Sequence, residues 1–168
     1  AYYVAAMHAR RDCCRALEQR AGQPVRNYES YCRVRRDSGA GVPALPRLVL
    51  LVDDVIAGWT ALHRVDPRWC YRGVAEVSIY VGEQFRGHGL GCHLLAELCR
   101  QAEEAGYWTL QSTVLQDNAA SRALHTKCGF RLVGRRERIA RDCHGRWLDT
   151  FLMERRAAAD EPEGYKKL

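Results

Sequence analysis

The sequence predicts an α/β fold, built as a mixed and mainly antiparallel sheet flanked by helices. Arg47 to Val52 and Val55 to Arg64 are apolar runs separated by Asp53-Asp54, the pattern of two antiparallel strands joined by a tight turn. Val74 to Val81 alternates with the period of a strand. A glycine-rich stretch, Arg86 to Gly91, then opens a segment whose apolar residues recur at helical spacing.

Taken in order, Val4, Met7, Cys14, Leu17 and Ala21 fall at helical intervals and predict an amphipathic helix over Val4 to Ala21, broken by Gly22 and Pro24. A second short helix is expected over Tyr28 to Arg36, and the glycines and prolines of Ser38 to Pro46 make a loop. In the strand over 74–81, Ala75, Val77, Ile79 and Val81 share one face, and Glu76, Ser78 and Tyr80 share the other. Leu90, Leu94, Leu95, Leu98, Ala102 and Ala105 form the apolar stripe of the next helix, which Gly106 ends. Trp108 to Leu115 is a strand, and Asn118 caps a short helix through Lys127 that Gly129 closes. Phe130 to Ile139 and Trp147 to Arg155 are the last strands, with His144-Gly145 between them. Trp108 and Trp147 are assigned to the core. One domain is expected over 1–156, and the segment 157–168, without apolar periodicity, is expected to be a flexible tail.

A chain of 168 residues can bury a core without disulfides or structural metals. Its hydrophobic fraction of 47% and charged fraction of 27% are those of a globular protein and exclude wholesale disorder. No apolar run approaches membrane-spanning length, so no membrane partner is expected. The first twenty residues lack the apolar core of a secretory signal, and the expected location is the cytoplasm. None of the eight cysteines forms a Cys-x-x-Cys pair, so no metal site is expected and the thiols are read as reduced and partly buried. The net charge of +6 is spread over pairs such as Arg35-Arg36 and Arg135-Arg136, with no nucleic-acid motif. Nucleic acid is therefore not an expected partner, whereas a polyanionic cofactor would use the same charge.

Arg86-Gly87-His88-Gly89-Leu90-Gly91 can aim backbone N–H groups at an anion bound at a helix start. A P-loop would end in Gly-Lys-Ser/Thr, and here Cys92 and His93 follow Gly91. A dinucleotide fingerprint would need Gly-x-Gly-x-x-Gly in a parallel βαβ unit, and the preceding strands read as an antiparallel meander. A purely structural turn is the plain alternative.

Arg86, Gly89 and Gly91 fill the pyrophosphate motif Arg/Gln-x-x-Gly-x-Gly/Ala, and with it the stretch Glu76 to Arg156 resembles the GNAT superfamily of acyltransferases. Within it, Tyr71-Arg72, Glu76 to Val81, Gln116 to Ser121, Leu124 to Phe130 and Gly145 to Asp149 are similar to the phosphinothricin acetyltransferase group, which includes acetyltransferases of arsinothricin and methionine sulfoximine. Gly134 to Arg138 is similar to arsinothricin-resistance members. The first 46 residues are atypical: they lack the group's opening strand and its Thr-Phe segment, with Ala1 to Val4 a possible remnant of that strand.

The resemblance implies a GNAT fold whose sheet splays between its fourth and fifth strands. It implies acetyl-CoA as cofactor, with the pantetheine arm lying along the backbone of Val77, Ile79, Tyr80 and Val81. The pyrophosphate would lie on Arg86, Gly87, His88, Gly89, Leu90 and Gly91, with Asn118 and Ser121 nearby; Asn118 is also a helix cap, and the two roles are compatible. Glu76 falls at the family's general base, needed because an ammonium cannot attack a thioester before losing a proton. His125 falls where a proton donor to the departing sulfur sits, or else it is a packing residue. Arg72 is either a clamp for an acidic substrate or an ordinary surface arginine. Together these imply acetyl transfer, by direct attack in a ternary complex, to the primary amine of a small amino-acid-like substrate such as phosphinothricin or arsinothricin, in a homodimer. Acetylation of another amine (a peptide N-terminus, a polyamine, an antibiotic) and a non-catalytic CoA-binding module are the rival readings.

Overall fold

The computed structural model describes residues 2–6 and 45–157. Seven strands form one sheet in the order β1-β2-β3-β4-β5-β7-β6, where β1 is Tyr2–Ala6, β2 Arg47–Val52, β3 Val55–Arg64, β4 Val74–Val81, β5 Thr109–Leu115, β6 Arg131–Arg141 and β7 Trp147–Arg156. Among the described residues two α-helices accompany it, α1 at Leu90–Glu104 and α2 at Ala119–Lys127. Among the described residues no helix is long and apolar enough to cross a membrane.

Strands β2, β3 and β4 form the expected antiparallel meander. Asp53 and Asp54, at φ 47° and 64°, make a two-residue turn of the left-handed kind that matches strand twist, a conformation aspartate tolerates better than most side chains. The chain then crosses through α1 to β5, which runs parallel to β4, as a parallel neighbour requires. Strands β5, β7 and β6 complete the sheet with antiparallel pairs.

The stripe read from the sequence is what α1 buries: Leu90, Leu94, Leu95, Leu98 and Ala102, joined by Cys99. They pack on Leu48, Leu50, Leu62, Ala75, Val77 and Leu110 from one sheet face. Gly106 and Gly129, both left-handed, follow the ends of the two helices as expected.

Two expectations need correction. The segment predicted as helical from Val4 begins as strand, and the opening strand read as missing but for Ala1 to Val4 is present: Tyr2 to Ala6 pair with Val52 to Leu48, and the ladder with β2 supplies hydrogen bonds that local periodicity cannot foresee. The remainder of that helix, the helix over Tyr28 to Arg36, the loop before Leu45 and the tail beyond Ala157 lie outside the described residues. Trp108 and Trp147, assigned to the core, are 41% and 50% exposed. Each ring has an arginine over it instead, Arg72 at 5.1 Å from Trp108 and Arg141 at 4.2 Å from Trp147. The last two strands also run to Arg141 and Arg156, and β6 takes a register shift between Arg136 and Ala140.

Leu95 is fully buried at the centre of the interface between α1 and the sheet. Leu95→Ala should lower stability by about 2–5 kcal/mol in urea denaturation, while Val133→Ala on the exposed edge strand should change it by less than about 0.5 kcal/mol.

Candidate active site

The parallel ladder between β4 and β5 is short. It joins Val74 to Thr109, Ala75 to Leu110 and Glu76 to Gln111, and then stops, although β4 continues to Val81 and β5 to Leu115. On its other edge β4 stays paired with β3 up to Val81, and β5 stays paired with β7. Val77 to Val81 therefore present one backbone edge to the splay. Val77 turns its side chain into the core and Ile79 packs against it. The edge thus combines hydrogen-bonding backbone with apolar walls, the requirements for an extended guest that adds to a sheet.

At the end of β4 the chain passes through a single 3₁₀ turn, Glu83–Phe85, into the glycine stretch. Gly87 and Gly89 have φ of 81° and 76°, which side-chain-bearing residues adopt only with strain, and a Cβ on either would meet nothing within 4 Å. Glycine is thus demanded by backbone conformation, and the space beside both residues is open. The first bonds of α1 run from the N–H groups of Cys92 and His93 to the Gly89 carbonyl. The N–H groups ahead of them have no intrahelical acceptor, and the helix dipole favours an anion in front of them. These residues fit a diphosphate. Arg86 turns back: its Nε–H donates to the Val81 carbonyl at 3.0 Å, with the guanidinium 5.8 Å above the Tyr80 ring. The His88 ring pairs through Nδ1 with the Arg86 carbonyl at 2.8 Å. A Cβ on Gly91 would stand 3.4 Å from Leu124 and 3.5 Å from Val81, so the end of β4, the start of α1 and the side of α2 converge there.

In α2, Asn118 is the N-cap: its Oδ1 accepts from the Ser121 N–H at 3.0 Å. His125 lies one turn after Ser121 and is 1% exposed, with its ring edge-on to Phe130 at 5.0 Å. Nδ1 stands 2.8 Å from the Ser121 carbonyl, which fixes that nitrogen as the N–H donor. Nε2 is buried and has no hydrogen-bond partner among the described residues. Burial pushes the imidazole below its ordinary value, against a smaller upward pull from the Ser121 carbonyl.

Glu76 is half-buried on the β4 face away from α1, as the alternation predicts, together with Ser78 and Tyr80. Its register partners are His63 on β3 and Gln111 on β5. The His63 Nε2 is 2.8 Å from the Ser78 Oγ. Sequence reasoning gave His63 no role; the one available signal was its place in the strand before Glu76, and the pairing register was not legible. Arg72 lies in the turn just before β4: its Nη1 donates to the Trp69 carbonyl at 3.4 Å, and the guanidinium sits over the rings of Trp69 and Trp108.

Two of the thiols, Cys99 and Cys128, are poor nucleophiles. Burial raises Cys99 to about 11, and burial first, then the neighbouring Cys92 and Cys99 thiols, raises Cys128 to about 12.

Comparison with known proteins bears on this arrangement. Residues 4–130 match the model of the Acetyltransferase (GNAT) family, and the chain belongs to that family. It is 37% identical over 84 residues to an L-methionine sulfoximine/L-methionine sulfone acetyltransferase of Pseudomonas aeruginosa, covering 50% of this chain and 48% of that protein. To a phosphinothricin N-acetyltransferase of Alcaligenes faecalis it is 35% identical over 112 residues, 66% of this chain and 56% of the relative. The chain thus spans about half the length of these curated relatives. A GNAT phosphinothricin acetyltransferase from Sinorhizobium meliloti, solved in complex with acetyl-CoA, superimposes with a TM-score of 0.76 at 27% identity, covering 97% of this chain and 94% of that one.

An NMR titration should place the His125 midpoint below 6.5, with the proton of the neutral ring on Nδ1. Since the folded protein then binds fewer protons than the unfolded chain, stability is complete above about pH 6.5 and falls as the pH drops towards the folded midpoint. His125→Phe should flatten that loss between about pH 7.5 and about pH 5.5 in urea denaturation. A midpoint at or above 6.5 contradicts the buried, neutral assignment.

Proposed function

We propose that this chain transfers an acetyl group from acetyl-CoA to the primary amine of a small amino-acid-like compound of the phosphinothricin or methionine sulfoximine kind. The observation that carries the reading is the freed edge of β4, lying between Glu76 at one end and the left-handed glycines at the other. Family membership and the activities named for the relatives support it.

When bound, acetyl-CoA supplies an acetyl thioester. The backbone groups of Val77, Ile79 and Val81, which face the splay, would hold the pantetheine arm, with Tyr80, whose own N–H and C=O face β3, beside them. The N–H groups from Gly87 to Gly91, beside Arg86 and His88, hold the pyrophosphate, and Asn118 and Ser121 border it. Glu76 takes a proton from the substrate ammonium and frees the lone pair that attacks the thioester carbon. His125 presents Nε2. Burial makes its imidazolium a stronger acid than an ordinary one, so a proton drawn from solvent onto Nε2 would be given up readily to the leaving thiolate. The raised thiols favour direct transfer over an acetyl-cysteine. Arg72 supplies a cation for an acidic substrate at the foot of β4.

Release of CoA thiol should be followed over a panel of amino acids, methionine sulfoximine, phosphinothricin, arsinothricin, polyamines and peptide N-termini. Turnover is expected with the amino-acid analogues. For the best of them, Glu76→Gln should lower the single-turnover rate by roughly 10²-fold or more while acetyl-CoA still binds. Acetyl-CoA binding with no thiol release for any amine would point to a binding module instead. An unchanged rate and pH profile in Glu76→Gln would remove Glu76 as the base.

A further inference from the structure

A base that takes a proton in each turnover must also lose it, and the group beside Glu76 able to receive it is a histidine. His63 stands directly opposite Glu76 across the β3–β4 ladder, where side chains on one face lie roughly 4.5–5.5 Å apart at Cβ. The ring is not free to swing out, because its Nε2 is held 2.8 Å from the Ser78 Oγ, two residues along β4 on the Glu76 face. We propose that His63 is the second station of the proton path: the proton that leaves the substrate ammonium for the Glu76 carboxylate passes on to the His63 imidazole and from there to solvent.

The inference rests on the reading of Glu76 as base. Its balance is simple. The N–H bond of the ammonium breaks, the proton resides first on a Glu76 oxygen and then on an imidazole nitrogen, and the freed amine lone pair forms the new bond to the acetyl carbon. Glu76 is thereby returned to its carboxylate form for the next substrate. The His63 ring is suited to receive a proton because it is neutral near pH 7: burial lowers its pKa most, the Glu76 carboxylate pulls it up, and Arg47 on β2 pushes it down. Among the described residues these are the charged groups that act on it from the packed strands. Ser78 acts as a positioning residue, fixing the ring through its hydroxyl.

The test combines turnover with a reading that needs no activity. In NMR titrations Glu76→Gln should lower the His63 midpoint further, because the upward pull of the carboxylate is gone; an unchanged midpoint means that the two groups do not sense each other and overturns the proposal. In turnover of L-methionine sulfoximine, or the best amine of the panel, His63→Ala should lose at least tenfold in kcat, short of the ~10²-fold lower end for a directly acting base. Acetyl-CoA affinity should be unchanged, and added imidazole should restore part of the rate. His63→Asn, which keeps a polar partner for Ser78 but cannot titrate, should be equally slow and should lack the limb of the pH profile that belongs to His63. Wild-type kcat in His63→Ala, or a loss that imidazole does not restore and His63→Asn repairs, overturns the relay. If Glu76→Gln itself keeps the wild-type rate, the fault lies with Glu76 as base; if only the His63 variants are silent, it lies with the relay alone.

Discussion

The structure depends on a ladder that stops early. Parallel pairing of β4 with β5 ends at Glu76 and Gln111, while each strand remains fully tied to its neighbour on the far side. Backbone N–H and C=O groups of a strand need partners, and an edge freed inside a sheet is costly unless solvent or a guest supplies them. Here the edge is lined by the apolar side chains of Val77 and Ile79 and leads into glycines held at positive φ. The meander on one side and the β5–β7–β6 unit on the other each tie their strand to the opening through an antiparallel ladder.

That opening divides the chemistry by sheet face. One face carries the aliphatic core under α1, and the opposite face of β4 carries Glu76, Ser78 and Tyr80. The polar face is ordered by pairs across strands, Glu76 with His63 and His63 with Ser78. Near the end of β4, α2 brings a second histidine of opposite character: His125 is sealed from water, donates through Nδ1 and has an unmet acceptor in Nε2. Two imidazoles, both lowered by burial, thus stand in different surroundings, one on the polar face of the sheet and one enclosed between α2 and Phe130.

What the sequence made legible was local. The bounds of β2 and β3 could be read to the residue because apolar runs flank Asp53-Asp54, those of β4 because it alternates, and α2 likewise from Asn118 and Gly129. The face of Glu76 follows from the same alternation. What stayed hidden was set by partners far along the chain. Tyr2 to Ala6 is a strand only because β2 pairs with it. Trp108 and Trp147 read as core by size, yet arginine side chains offer them cover at the surface. His63 meets Glu76 only through a register set by the connection from Val65 to Gly73, and the burial of His125 depends on Phe130 folding back against it.

The central claim is that acetyl-CoA completes the sheet at the freed edge of β4. Residue-resolved amide hydrogen exchange, with and without acetyl-CoA, tests it most directly. The account predicts new protection at Val77, Ile79 and Val81, whose N–H groups face the splay, and in Gly87 to Gly91, with little change in the β6–β7 hairpin. Binding of acetyl-CoA that leaves Val77 to Val81 exchanging as before, or that protects a different part of the sheet, would contradict it.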